Sequence, residues 1–271
     1  MDTNKPIIIC GSGNSVPFID EQYRETSCGL PVKLKHIIEN NYCIGLNYWF
    51  QFGCETTFNL SGDWQFYDDN REALKKLPMI LASEDTSLKN KNESRIHDNT
   101  ILLPNAKGKY HGTNAWEKGF YTKQLIGIYG LNLAIALGFK EIYLLGYDCI
   151  EIEGKTHFYQ GVADLSKVTP LFLNGKKKCD REHFRGIGKT PKGTYKTSTY
   201  NNVKHLNKFY NSFEVECKKI KIYNVSISSV INTFPKISYG AFFQQIEDNQ
   251  IDQVKAREEI KEFILSKLNE K

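Results

Sequence analysis

Pro6-Ile7-Ile8-Ile9-Cys10-Gly11-Ser12-Gly13-Asn14-Ser15 opens the chain with an unbroken apolar run that stops at a glycine-rich turn. A run that is apolar throughout, rather than alternating, suits a strand buried on both faces of a parallel sheet. Glycines at its end let backbone come close to a phosphate, and N–H groups at a helix start favour an anion. Gly11, Ser12, Gly13, Asn14 and Ser15 are therefore candidates to hold a nucleotide. The dinucleotide fingerprint G-x-G-x-x-G is incomplete, because residue 16 is Val. A tight turn without a ligand would use the same glycines.

Further apolar runs follow. Strands are expected at 42–47, 56–60, 79–83, 100–103, 141–146 and 221–225. Residues 123–137 carry apolar side chains at helical spacing, and Gly138 stands where a C-cap belongs. A weaker helical signal starts at Val16, and 201–217 places Leu206, Phe209, Tyr210 and Phe213 on one helical face. From Gln244 the chain is charged and helical to its end. Ile246, Ile251, Val254, Ile260, Ile264 and Leu268 form a partial stripe, free to pack on the domain or on a second copy in a homo-oligomer. Residues 151–200 are polar and rich in Lys, Gly and aromatics, as a lid or insert would be. The expected fold is α/β: a Rossmann-like, doubly wound, mostly parallel sheet with a long lid-like insertion. The expected division is a nucleotide-binding domain over 1–243, with 151–200 as lid, and a C-terminal helix over 244–271.

The totals are those of an ordinary globular protein: 271 residues, 40% hydrophobic, 25% charged, formal net charge +5. So small an excess suits a soluble surface, a groove for a phosphorylated ligand, or nucleic acid. Seven cysteines, with no C-x-x-C pair, read as reduced thiols rather than a disulfide framework or zinc site. No signal peptide is read at the start, and no apolar run reaches the ~20 residues that span a bilayer. The expected compartment is the cytoplasm.

Parallel α/β sheets bind ligands at the carboxyl ends of their strands. Those ends carry Asn47, then Asn59, Ser61 and Asp63, then Tyr147 and Asp148. Asn donates and accepts together, which suits a base or a sugar; an Asx-turn or helix cap would use it equally. The later loop supplies His157 and the run His183-Phe184-Arg185-Gly186-Ile187-Gly188-Lys189-Thr190. Gly188-Lys189-Thr190 is not a Walker A loop, since residue 183 is His where the motif needs Gly and no apolar strand leads in. Arg185 and Lys189 are suited to closing over a phosphate. No metal-ligand spacing occurs, and Asp68-Asp69 is adjacent rather than the spaced D-x-D of metal-dependent sugar transferases.

Ile8-Ile9-Cys10-Gly11-Ser12-Gly13-Asn14-Ser15 resembles the opening strand and turn of the bacterial sialyltransferase family that includes the lipooligosaccharide α-2,3/2,8-sialyltransferases. So does Ala136-Leu137-Gly138-Phe139-Lys140-Glu141-Ile142-Tyr143-Leu144-Leu145-Gly146-Tyr147-Asp148. Lys221-Ile222-Tyr223-Asn224-Val225-Ser226, with Asn232-Thr233-Phe234-Pro235, is similar to a wider Rossmann-like set. That set includes phage-encoded proteins, motility-associated flagellin glycosylation factors and hydroxymethylpterin diphosphokinase-like proteins. The sialyltransferase resemblance implies a CMP-linked donor held by the glycine turn, Asn47 and Asn59. It also implies metal-independent, inverting transfer with a histidine base. The family's histidine precedes the penultimate helix, where this chain has Lys196-Thr197-Ser198-Thr199. His183 or His157 is the alternative base, since an unperturbed imidazole titrates near working pH; Asp63 and Asp148 are the other candidates.

Three functions are thus expected, in order. The first is an enzyme, a metal-independent glycosyltransferase with no tightly bound cofactor. In it the glycine turn and Asn47 hold the nucleotide, Asn59 and Asp63 the sugar, and His183, Arg185 and Lys189 serve from the lid. The second is a pyrophosphokinase of the pterin type, using ATP and Mg²⁺. The third is a binding or phage-like morphogenesis module that kept the fold without the chemistry.

Overall fold

The computed structural model describes residues 1–13, 15–16, 30–62, 66–67, 70–84, 96–106, 110–121, 125–149, 187–190, 193–196, 203–246 and 248–270, with 187–190, 193–196 and 203–206 as backbone alone. Its strands are β1 (Ile7–Cys10), β2 (Tyr42–Leu46), β3 (Phe58–Ser61), β4 (Ile80–Ser83), β5 (Thr100–Leu103), β6 (Glu141–Leu145), β7 (Ile187–Thr190), β8 (Gly193–Lys196) and β9 (Lys221–Val225). Its helices are α1 (Val32–Glu39), α2 (Arg71–Leu74), α3 (Ala115–Lys118), α4 (Ile126–Ala136), α5 (Val203–Tyr210), α6 (Glu214–Cys217), α7 (Tyr239–Gln245) and α8 (Gln253–Asn269).

Seven strands form one parallel sheet in the order β5-β4-β3-β2-β1-β6-β9. Each matches one of the apolar runs, with ends within two residues of those expected. The order runs outward from β1 in both directions, so β1 and β6 flank the point where it reverses. Ile7 to Cys10 lie beside Ile142 to Leu145 on that side and Tyr42 to Gly45 on the other. Crevices at such a switch point are where doubly wound sheets take ligands.

Both faces of the sheet are covered, which is why its strands read as continuous apolar runs. Ile7, Ile9, Ile44, Leu46, Leu60 and Leu144 face α4 and α8, while Ile8, Cys10, Cys43, Ile80 and Leu145 face α1 and α7. Helix α4 is apolar on every side and almost wholly buried, the pattern of a central helix. It lies so close to the sheet that a Cβ on Gly130 would come 3.1 Å from Leu46 Cδ2 and 3.2 Å from Ile9 Cγ2. Gly138 closes it at φ +91°, as expected of a C-cap.

The C-terminal segment differs from the single helix expected from Gln244. Helix α7 starts earlier, with Ser238 Oγ accepting from the Ala241 N–H, and ends at Gln245. Gln250 then adopts φ +47°, and Asp252 caps α8 by accepting from the Val254 and Lys255 N–H groups. Ala256, Ile260 and Ile264 are buried in the chain's own core, and Trp116 meets Phe263 edge-on at 5.8 Å. Gln253 ties the helix down: its Oε1 accepts from Thr57 Oγ1 at 2.8 Å, and its Nε2 donates to the Glu39 and Asn41 carbonyls at 2.9 Å. The stripe offered to a second copy is thereby mostly used within the domain. Val254 stays 61% exposed and Leu265 39%.

The helix expected over 201–217 breaks into α5, a 3-10 turn at Asn211–Phe213 and α6. Gly188, Lys189 and Thr190 lie in β7 of an antiparallel β7–β8 ribbon, not at a helix start, in keeping with the rejected Walker A motif. No helix among the described residues is long and apolar enough to cross a membrane.

Candidate functional site

The turn after β1 lies directly against the loop after β6. Gly11 N–H donates to the Leu145 carbonyl at 2.8 Å, and Gly13 N–H to the Gly146 carbonyl at 2.9 Å. Ser15 completes the seam: its N–H reaches Asp148 Oδ2 at 2.8 Å and its hydroxyl donates to Asp148 Oδ1. A Cβ on Gly13 would sit 2.6 Å from both Asp148 Oδ2 and the Gly146 oxygen. A Cβ on Gly146, itself at φ +64°, would sit 2.5 Å from the Gly11 oxygen. These glycines are needed because two loops meet backbone to backbone.

That arrangement bears on two expectations. The N–H groups of Gly11, Gly13 and Ser15, expected to cradle a phosphate, are all engaged within the protein. Asp148, expected as a base, is buried with both carboxylate oxygens bonded to Ser15. Burial pushes its carboxyl above the ordinary aspartate range, while hydrogen bonds from Ser15, from its own N–H and from Ser226 pull the other way. The Tyr239 hydroxyl is buried beside Ser15 and Gly146 with no aligned hydrogen-bond partner. The place of Tyr239 at the switch point is not legible in the sequence; Ser238, the cap of α7, is the one local sign of the helix that carries it.

A second group holds the loop after β6 from the β9 side. Asn224 Nδ2 donates to the Tyr147 carbonyl at 3.2 Å and to Ser229 Oγ at 2.9 Å, and Ser229 Oγ donates to the same carbonyl at 2.7 Å. Cys10, just below the turn, faces Cys43 at an Sγ···Sγ distance of 3.4 Å. Burial, with Cys43 beside it, pushes the Cys10 thiol well above its ordinary range, so it is no ready nucleophile.

Asn47, just after β2, and Asn59 and Ser61, in β3, form a buried polar group next to this seam. Asn47 leaves β2 at φ +49°, a conformation that Asn tolerates better than most residues. Asn59 Nδ2 donates to the Asn47 carbonyl at 3.1 Å, which fixes the bend and aims Asn59 Oδ1 away from it. Asn59 Oδ1, Asn47 Oδ1 and Ser61 Oγ are all buried without hydrogen-bond partners. Trp49, in the 3-10 turn at Asn47–Phe52, donates its indole N–H to the Gly11 carbonyl at 2.7 Å and so joins this group to the glycine turn.

The structure thus unites Gly11, Ser12, Gly13, Ser15 and Asp148 at one seam, and Asn47 with Asn59 beside it. Asn14, Asp63, His157, His183 and Arg185 lie outside the described residues, and Lys189 is placed only by its backbone in β7. Among the described residues no group of three His, Cys, Asp or Glu side chains is placed to hold a metal ion. Comparison of the chain with family models, curated proteins and solved structures finds no match in any of the three.

Proposed function

We propose that this chain is a glycosyltransferase that moves a sugar from a nucleotide-sugar donor to an acceptor hydroxyl. One observation carries the reading: Asn47 Oδ1 just after β2, Ser61 Oγ at the last residue of the adjacent parallel strand β3, and Asn59 Oδ1 two residues before it are buried and unpartnered. Buried polar atoms are rarely left unpaired in a native protein, and strand ends are where such sheets bind ligands.

In this reading Asn47 and Asn59 hold the donor. His183 takes the proton of the acceptor hydroxyl, with Asp63 as the other candidate base. The acceptor oxygen attacks the anomeric carbon, the bond to the nucleotide phosphate breaks, and the phosphate leaves with the electron pair. Arg185 and Lys189 offset the charge that develops on it. Asp148 acts as a positioning residue, through Ser15. The chemistry requires no metal.

A second reading has one observation in its favour. The Ser15–Asp148 lock and the engaged turn amides fit a binding module without turnover.

Thermal-shift titration tests both, using CMP-, UDP- and GDP-sugars and ATP, each with and without Mg²⁺. A ligand at a hundred times its Kd stabilises by about 2.7 kcal/mol, an easily read shift. Metal-free stabilisation by a sugar nucleotide is the expected result. Stabilisation by ATP only with Mg²⁺ would favour pyrophosphoryl transfer, and no shift would favour the module. His183→Ala should then abolish transfer and leave the donor-induced shift intact.

A further inference from the structure

Resting on the glycosyltransferase reading, we infer that the sugar seated against Asn47, Asn59 and Ser61 is neutral and presents hydroxyl or amino hydrogens, not a carboxylate. The unpartnered atoms there are oxygens. Asn59 is 2% exposed and its orientation is set, because its Nδ2 already donates to the Asn47 carbonyl. Its Oδ1 only accepts. Asn47 Oδ1 accepts as well, and the hydroxyl of Ser61, 0% exposed, does either.

The same bias continues along the carboxyl edge. Asn105, after β5, gives its Nδ2 to Ser83 and leaves its Oδ1 buried and unpartnered. An anionic group brought against these acceptor oxygens loses its hydration and gains no hydrogen bond from them in return. A hydroxyl or amine instead completes each buried acceptor, which otherwise carries an unsatisfied-group penalty.

Two measurements test this. The first is the affinity of matched donors that share a nucleotide and differ at C6: UDP-glucose against UDP-glucuronate, and GDP-mannose against GDP-mannuronate, with CMP-N-acetylneuraminate as a further acidic donor. The neutral member of a pair is expected to bind at least tenfold more tightly than any acidic donor. The second is Ser61→Ala in the ligand-free protein. Deleting a hydroxyl that truly lacks a partner should leave Tm unchanged or higher, and should weaken the neutral donor at least fivefold.

An acidic donor that binds as tightly as the neutral ones overturns the inference and leaves the transferase reading standing. A fall in Tm of more than about 3 °C for free Ser61→Ala, of the size expected for about 1 kcal/mol in a chain this long, would mean that buried water already satisfies the hydroxyl. That result overturns the inference whatever the sugars do. If no sugar nucleotide binds, the transferase reading falls and the sugar assignment falls with it.

Discussion

Ser15 and Asp148, 133 positions apart in the chain, are joined twice: the Asp148 carboxylate accepts the Ser15 N–H at 2.8 Å and the Ser15 hydroxyl as well. This pair closes the β1 turn onto the loop after β6 at the switch point of the sheet.

Removing the carboxylate should therefore loosen the seam. Asp148→Ala is expected to destabilise by about 2–4 kcal/mol, since it strands the half-buried Ser15 N–H and opens a void. Asp148→Asn keeps one acceptor and should cost under about 1 kcal/mol. Urea denaturation of both variants measures this, and equal losses would mean that the seam needs the whole carboxylate, and that neither side-chain volume nor one remaining acceptor sustains it.

The pH dependence has a definite sign. Burial raises the Asp148 carboxyl in the folded state, against the opposing bonds from Ser15. A raised folded value gives stabilisation that is complete below the ordinary ~3.9 of aspartate and is lost as pH rises through the folded value. The stability of the parent protein relative to Asp148→Asn should thus improve on acidification from about pH 7 towards pH 4. Denaturation series at several pH values would show it; a difference that moves the other way would mean the hydrogen bonds outweigh burial.

The glycines of the seam should not tolerate a methyl group. Gly13→Ala and Gly146→Ala each place a Cβ within 2.6 Å of backbone or of the locked carboxylate, and Gly146 also needs its positive φ. Each is expected to destabilise by about 3 kcal/mol or more. Gly240→Ala is the control: it lies inside α7, and its Cβ would meet only Ser238 Oγ at 3.6 Å. It should be neutral or stabilising by about 0.5–1 kcal/mol. Similar losses at all three positions would sink the close-approach explanation.

Helix α8 should behave as core. Ile264→Ala removes a fully buried side chain and should cost about 2–5 kcal/mol. Val254→Lys and Leu265→Lys, on the exposed side, should change stability by less than about 0.5 kcal/mol. Tm should not vary with protein concentration in any of them. A concentration-dependent Tm, abolished by Val254→Lys, would instead place a second copy on this helix.

Residue pattern along the chain is enough to set the class of fold and the lines of the strands. Ile7-Ile8-Ile9-Cys10 or Tyr143-Leu144-Leu145 can be apolar at every position only where both faces of a sheet are covered, so such runs are legible without coordinates. Gly138 is legible for a similar reason, because a helix end at positive φ selects glycine. Short elements such as α7 and the two halves of 201–217 are not, since too few buried residues set their period. Which strands are neighbours emerges from the folded arrangement alone, because every apolar run suits every place in a parallel sheet. So does the purpose of Gly11, Gly13 and Asp148. A glycine admits close approach by anything, and whether that is a phosphate or another loop depends on what the fold carries there from 133 residues away.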